Sequence, residues 1–242
     1  LEGLKIFSSF FKEPLFSSSS INREINAVNS EHSKNLNNDI RRLFRLFGEI
    51  INTDHNLKKF GTGNTETLNI KNIREKLIDF YNKNYSSNIM TLVDLSNLSI
   101  DILEKNVTEL FSEVKNKNII VKDDNKLPFK FNNDNSILVN NIPIKNNNDL
   151  LLIWQAYNYK DYYKYKAYDY IGFLFESENK NSLYEYLYNL GFVLELEFFK
   201  FDYDNISLLH LNLSLTNEGF KNIDKINKLI DNFINEFIKK KF

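Results

Sequence analysis

At 242 residues, 42% of them hydrophobic and 14% aromatic, the chain can build one large or two modest domains around a core rich in Phe and Tyr. Its 31 basic and 32 acidic residues leave a formal charge of −1, which gives no reason to expect a nucleic-acid or anionic-membrane partner. The absence of cysteine excludes a disulfide framework, a thiolate metal site and a Cys nucleophile, and no apolar run approaches the roughly 20 residues that span a bilayer.

Residues 1–13 place Leu4, Phe7, Phe10 and Phe11 at helical spacing, and Pro14 ends that helix. Ser17 to Ser20 are N-cap candidates for one long helix from about Asn22 to Ile51. Its apolar stripe, Ile25, Val28, Leu36, Ile40, Leu43, Phe44 and Phe47, is interrupted by a polar middle from Asn29 to Asn38, which is odd for a purely structural helix. A loop follows at Gly61-Thr62-Gly63-Asn64. Residues 70–84 read as an amphipathic helix, Ile89 to Leu95 as a strand, and 98–114 as a further helix. The Asn/Lys/Asp clusters of 116–148, with Pro128 and Pro143, predict a connector with short strands and a domain boundary; Asn132–Asn135 and Asn146–Asn148 read as polar surface loops. Beyond it, Leu150 to Ala156 is strand-like and 160–190 holds one or two Tyr-rich helices. Val193–Phe201 and Ile206–Leu215 form a strand pair across an Asp202–Asn205 turn, and Thr216 caps a final helix to Lys240. This coarse repetition of helices and strands predicts two related α/β domains.

Two carboxylates stand out. Glu24 and Glu31 lie seven residues apart, nearly two helical turns, and so share a face. By spacing alone the pair suits a metal ligand with a supporting acid. An ordinary pair of solvated carboxylates has the same spacing.

Longer strings carry a resemblance. Arg23 to Asn35 (REINAVNSEHSKN), Lys59 to Asn64 (KFGTGN), Tyr85 to Met90 (YSSNIM), Leu110 to Asn118 (LFSEVKNKN) and Ile142 to Lys145 (IPIK) are collinear with the insulysin/pitrilysin family of inverted-motif zinc metallopeptidases. The likeness is strong over 20–118 and thinner after 150. It implies an α+β fold of mainly antiparallel sheet packed with helices. It further implies that 1–125 is the C-terminal part of a first, catalytic peptidase domain and 126–242 the N-terminal part of a second. In that family two His of an H-x-x-E-H motif bind zinc and the Glu between them is the general base. The resemblance makes Glu31 the distant third zinc ligand and Glu24 the acid that orients a histidine ligand. Phe44 and Thr62 would line the primed side of a peptide cleft.

The chain departs from the family in one decisive respect: it has no H-x-x-E-H. Its three histidines, His32, His55 and His210, do not pair at ligand spacing and are expected to be structural or exposed. Arg41 stands where the family often has Trp. Glu176 to Ser182 and Phe198-Phe199 stand where the family has glycines that admit an added substrate strand. That argues against a copied docking strand, and leaves open an aromatic-pocketed peptide site or an edge covered by a neighbouring domain. The expectation is therefore a piece of a zinc endopeptidase acting on short peptides, without tight zinc binding or activity of its own. The start at Leu1 fits a fragment or processed product, the cytoplasm is the default compartment, and unpaired sheet edges make a homo-oligomer possible. The alternative is a non-catalytic scaffold or binding subunit of the same fold, as in processing peptidases and respiratory core proteins.

Overall fold

In the computed structural model the chain clusters into two units, Leu1–Arg42 with Phe60–Asp123, and Leu43–Lys59 with Asp124–Phe242. The structure describes residues 1–51, 54–121, 126–129, 136–145, 147–158, 160–203 and 206–239. No helix among them is long and apolar enough to cross a membrane.

The first unit is helical. Its helices are α1 (Glu2–Lys12), α2 (Ser18–Asn35), the start of α3 (Asp39–Ile50), α4 (Thr65–Leu68), α5 (Ile73–Asn84) and α6 (Ile100–Phe111). Ser17 starts α2 as its composition predicts: its Oγ accepts the Ser20 N–H at 3.3 Å. Phe7 and Phe11 of α1 each meet Phe111 of α6 at 6.3 Å between ring centroids. The Tyr81 hydroxyl of α5 lies 2.6 Å from the Phe11 carbonyl and 3.0 Å from that of Lys12. It thereby serves carbonyls that the end of α1 leaves without an intrahelical partner.

Several expectations need correction. The long helix predicted from Asn22 to Ile51 is two helices, broken at 36–38. Asn38 Oδ1 accepts the Arg41 N–H at 3.1 Å, so a short amide side chain restarts the helix where apolar periodicity alone would have run on. The strand predicted at Ile89 to Leu95 does not form. A 3₁₀ turn, Ser87–Ile89, replaces its start. Ser86 Oγ accepts the Lys117 N–H at 2.7 Å, and Asn88 donates to the Ile119 carbonyl at 2.8 Å, so side chains take the place of a ladder. No strand among the first unit's described residues offers 90–95 a partner, and Val93 and Leu95 are left 82% and 95% exposed. Among the described residues of 116–148 there is likewise no strand. The tract 132–135, Asn146 and the last two residues of the predicted 202–205 turn lie outside the described residues.

The second unit holds the sheet. β1 (Asp149–Tyr157), β2 (Val193–Tyr203) and β3 (Ile206–Leu215) run antiparallel in the order β1-β3-β2, with Ile153 and Phe199 opposite His210. Helices α7 (Ala167–Glu176) and α8 (Leu183–Asn189) lie between β1 and β2 in the chain, and α9 (Asn217–Lys221) and α10 (Ile223–Lys239) follow β3. Alternation along β3 sends Leu211, Leu213 and Leu215 to one face. There they are buried with Leu183, Leu187, Ile226 and Ile230, and the only tryptophan, Trp154, packs against the same cluster. The other face carries Ile206 and Leu208, covered by Phe47, Ile51, Leu57 and Phe129. The predicted final helix is split: Asn222 leaves helical geometry at φ −116°, ψ 27°, and its side chain donates to the Glu218 carbonyl at 2.8 Å. Thr216 caps as expected, accepting the Gly219 N–H at 2.9 Å. That cap draws Gly219 onto the backbone of Phe192, where an added Cβ would stand 2.0 Å from the carbonyl oxygen.

His210 is buried on the second face at 3% exposure, stacked on Phe199 at 4.8 Å and edge-on to Phe201 at 5.2 Å, and its Nε2 has no hydrogen-bond partner. Burial pushes the imidazole down to about 4 from its ordinary 6.5.

Two outcomes follow for stability. Gly219→Ala forces backbone apart and is expected to cost about 3 kcal/mol, read by chemical denaturation. For His210 the unfolded chain takes up a proton below pH 6.5 that the folded chain refuses until about pH 4. Stability is therefore fully present above that window, falls at about 1.4 kcal/mol per pH unit within it, and levels off below it, a loss on the order of 3 kcal/mol. His210→Phe is expected to remove this component of the slope in denaturation curves taken across that range, and an unchanged slope would refute the assignment.

Candidate functional site

Glu24 and Glu31 both lie on α2 and both are exposed to solvent. The polar middle of that helix is explained by what binds it. Asn29 Oδ1 accepts the backbone N–H of Thr65 at 3.0 Å, across 36 residues of sequence. The His32 ring meets Phe60 edge-on, 5.2 Å between centroids. From Phe60 to Thr65 the loop is thus laid along α2 within the first unit. Gly63 takes φ +87°, a left-handed conformation that disfavours any side chain, and its α-hydrogen faces Leu68. Asn64 then opens α4 with a capping box: its Oδ1 accepts the Thr67 N–H at 3.0 Å and its own N–H donates to Thr67 Oγ1 at 2.9 Å. Thr62 is exposed at the tip of this loop.

Phe44 lies on the part of α3 that belongs to the second unit. It is 43% exposed and packs edge-on to Phe201 at 5.8 Å, beside Phe47. Arg41 is exposed. His55 is buried; its Nδ1 accepts the Leu57 N–H at 3.1 Å and so starts a 3₁₀ turn.

The edge of β2 departs from an open docking strand. The Phe198 ring fills the space that a Cβ on Gly172 would take, at 2.9 Å, and the Phe198 N–H donates to Glu176 Oε2 at 3.1 Å. A carboxylate of the chain itself therefore sits where the carbonyl of an added strand would bond. Beside it, Tyr168, Asp169 and Lys200 help line a cleft of about 160 Å³.

Catalytic zinc takes three nitrogen or oxygen ligands and keeps one position open. Among the described residues no group of three His, Cys, Asp or Glu stands close enough to hold a metal ion. The α2 face offers carboxylates without imidazoles, so the residues present do not make a zinc site by themselves.

Sequence reasoning picked out the two acids and the loop but missed Asn29, the Phe60–His32 contact and Glu176 as a cap on the β2 edge. The one signal for Asn29 was the run of polar residues inside a helix that apolar spacing described poorly.

A family model described as the peptidase M16 inactive domain matches residues 72–242. The insulin-degrading enzyme of Drosophila melanogaster is 34% identical over 241 residues, covering 97% of this chain and 24% of that protein. That of Homo sapiens is 36% identical over 234 residues, covering 93% and 23%. The crystal structure of pitrilysin superposes with a TM-score of 0.85 at 25% identity, over 100% of this chain and 26% of that one. The chain belongs to the peptidase M16 family, and it spans about a quarter of the length of the curated relatives it matches.

Isothermal titration calorimetry of the 242-residue chain with zinc is expected to show no binding in the nanomolar range, because a site short of its imidazole ligands forfeits most of the metal's binding energy. A nanomolar dissociation constant lost in Glu31→Gln would contradict this.

Proposed function

We propose that this chain is part of a zinc-dependent endopeptidase that degrades short peptides, with 1–125 the back of its catalytic domain and 126–242 the front of a second peptidase-like domain. The observation that carries the proposal is the α2 face. Two carboxylates nearly two turns apart stand free of the packing that fixes the same helix from its other side. In this reading Glu31 is the carboxylate ligand of the metal and Glu24 the acid behind a histidine ligand. Both histidines and the general base come from an H-x-x-E-H segment elsewhere in the whole protein. Thr62 and Phe44 contribute to recognition of the peptide's primed side. The self-capped β2 edge supports a peptide site that does not use strand addition at Phe198. The cytosol is the proposed compartment, as the default for a chain without a disulfide framework. The exposed run at 92–95 supports self-association of the chain when it is isolated.

One observation favours a second reading, a non-catalytic scaffold of the same fold: the family model covering 72–242 is that of an inactive domain.

Peptidase assays of the full-length product separate the two. The enzyme reading expects cleavage of short peptides that a chelator abolishes, a loss of more than about 100-fold in Glu31→Gln and a loss of about tenfold in Glu24→Gln. A full-length product with no cleavage, or with cleavage indifferent to both chelator and Glu31→Gln, rejects it in favour of the scaffold.

A further inference from the structure

On α2, successive residues advance by about 100°, so Asn29 and His32 share one face while Glu24 and Glu31 share another about 120° away. The first face is the one that holds the loop. His32 takes its beginning, at Phe60, and Asn29 takes its end, at Thr65. The two anchors are three residues apart on the helix, about 4.5 Å of rise, and they bracket Gly61, Thr62, Gly63 and Asn64. Two of these four are glycines, one at positive φ, so the backbone between the anchors has little stiffness of its own. The position of Thr62 relative to α2 is therefore set from the ends of the loop. The Thr65 N–H is the first of α4, a donor that the helix cannot satisfy internally. Asn64 serves the third amide and Asn29 the first, which locks the loop's exit to α2 rather than only to its own turn.

We propose that Asn29, with His32 as its companion, is a positioning residue that holds Thr62 at a fixed place relative to α2, the helix that bears Glu24 and Glu31. Peptide then meets a preformed wall. This rests on the peptidase reading above. Asn29 touches no reacting atom in this scheme; it acts through the loop, and its effect falls on binding of the peptide rather than on the chemical step.

The test uses the full-length product, with Asn29→Ala, Asn29→Asp and Thr65→Pro. The aspartate keeps an acceptor at the same place. Proline at the first position of a helix is well tolerated and deletes the same hydrogen bond from its donor side, which keeps the test open where Asn29→Ala fails to fold. Asn29→Ala and Thr65→Pro are each expected to raise KM for a short peptide about fivefold, with kcat within about twofold and zinc content unchanged. Asn29→Asp is expected to restore KM. In hydrogen exchange the Thr65 amide is expected to lose about tenfold of its protection in Asn29→Ala and to keep it in Asn29→Asp. An active wild type whose KM and Thr65 protection do not move in these variants overturns this inference alone. So does a KM rise that the aspartate fails to rescue, which marks Asn29 as a packing residue. A wild type without chelator-sensitive cleavage overturns the peptidase reading and this role with it.

Discussion

Everything in the second unit follows from burying β3 on both faces. The central strand of this sheet is buried from both sides, so the alternation of Ile206 to Leu215 has to satisfy two different covers. One cover is a helical layer built on Leu183, Leu187, Ile226 and Ile230. The other is a small aromatic and aliphatic cap drawn from residues 47–57 and Phe129. The return of the chain from β3 into α9 is then so close that residue 219 has to be glycine. The same double burial puts an imidazole among phenylalanines, a group that the interior tolerates only without its charge.

The first unit solves a different problem. Its helices are joined less by a continuous core than by specific polar grips. Tyr81 holds the end of α1, Ser86 and Asn88 hold 117–119, and Asn29 holds Thr65. Such grips fix position at the cost of ordering few groups.

Much of this was legible in the chain. Where one local rule acts alone, the prediction matched: Ser17 and Thr216 as caps, Pro14 as a stop, and the long alternation of β3. Where two rules compete, periodicity misled. Leu36 and Ile40 continue an apolar stripe, yet α2 ends at Asn35 and Asn38 begins the next helix. Ile89 to Leu95 has the composition of a strand, yet a strand is a relation between two segments, and the side chains of Ser86 and Asn88 already occupy the neighbouring backbone. Of the candidate site, the acids stand in a recognisable string. The Asn29 grip shows only as a polar interruption of the helix, because a hydrogen bond across 36 residues does not name its partner. Glu176 could not be found, because its bond to the Phe198 amide depends on where α7 comes to rest.

Trp154 has a consequence that reaches past the fold. It is the only indole in the chain, and it is packed against the helical cluster of the second unit. Indole emission therefore reports on one unit and is blind to the other, whose aromatic residues are phenylalanines and tyrosines. The molecule carries a natural optical label that separates the melting of the sheet from that of the helices bearing the carboxylates.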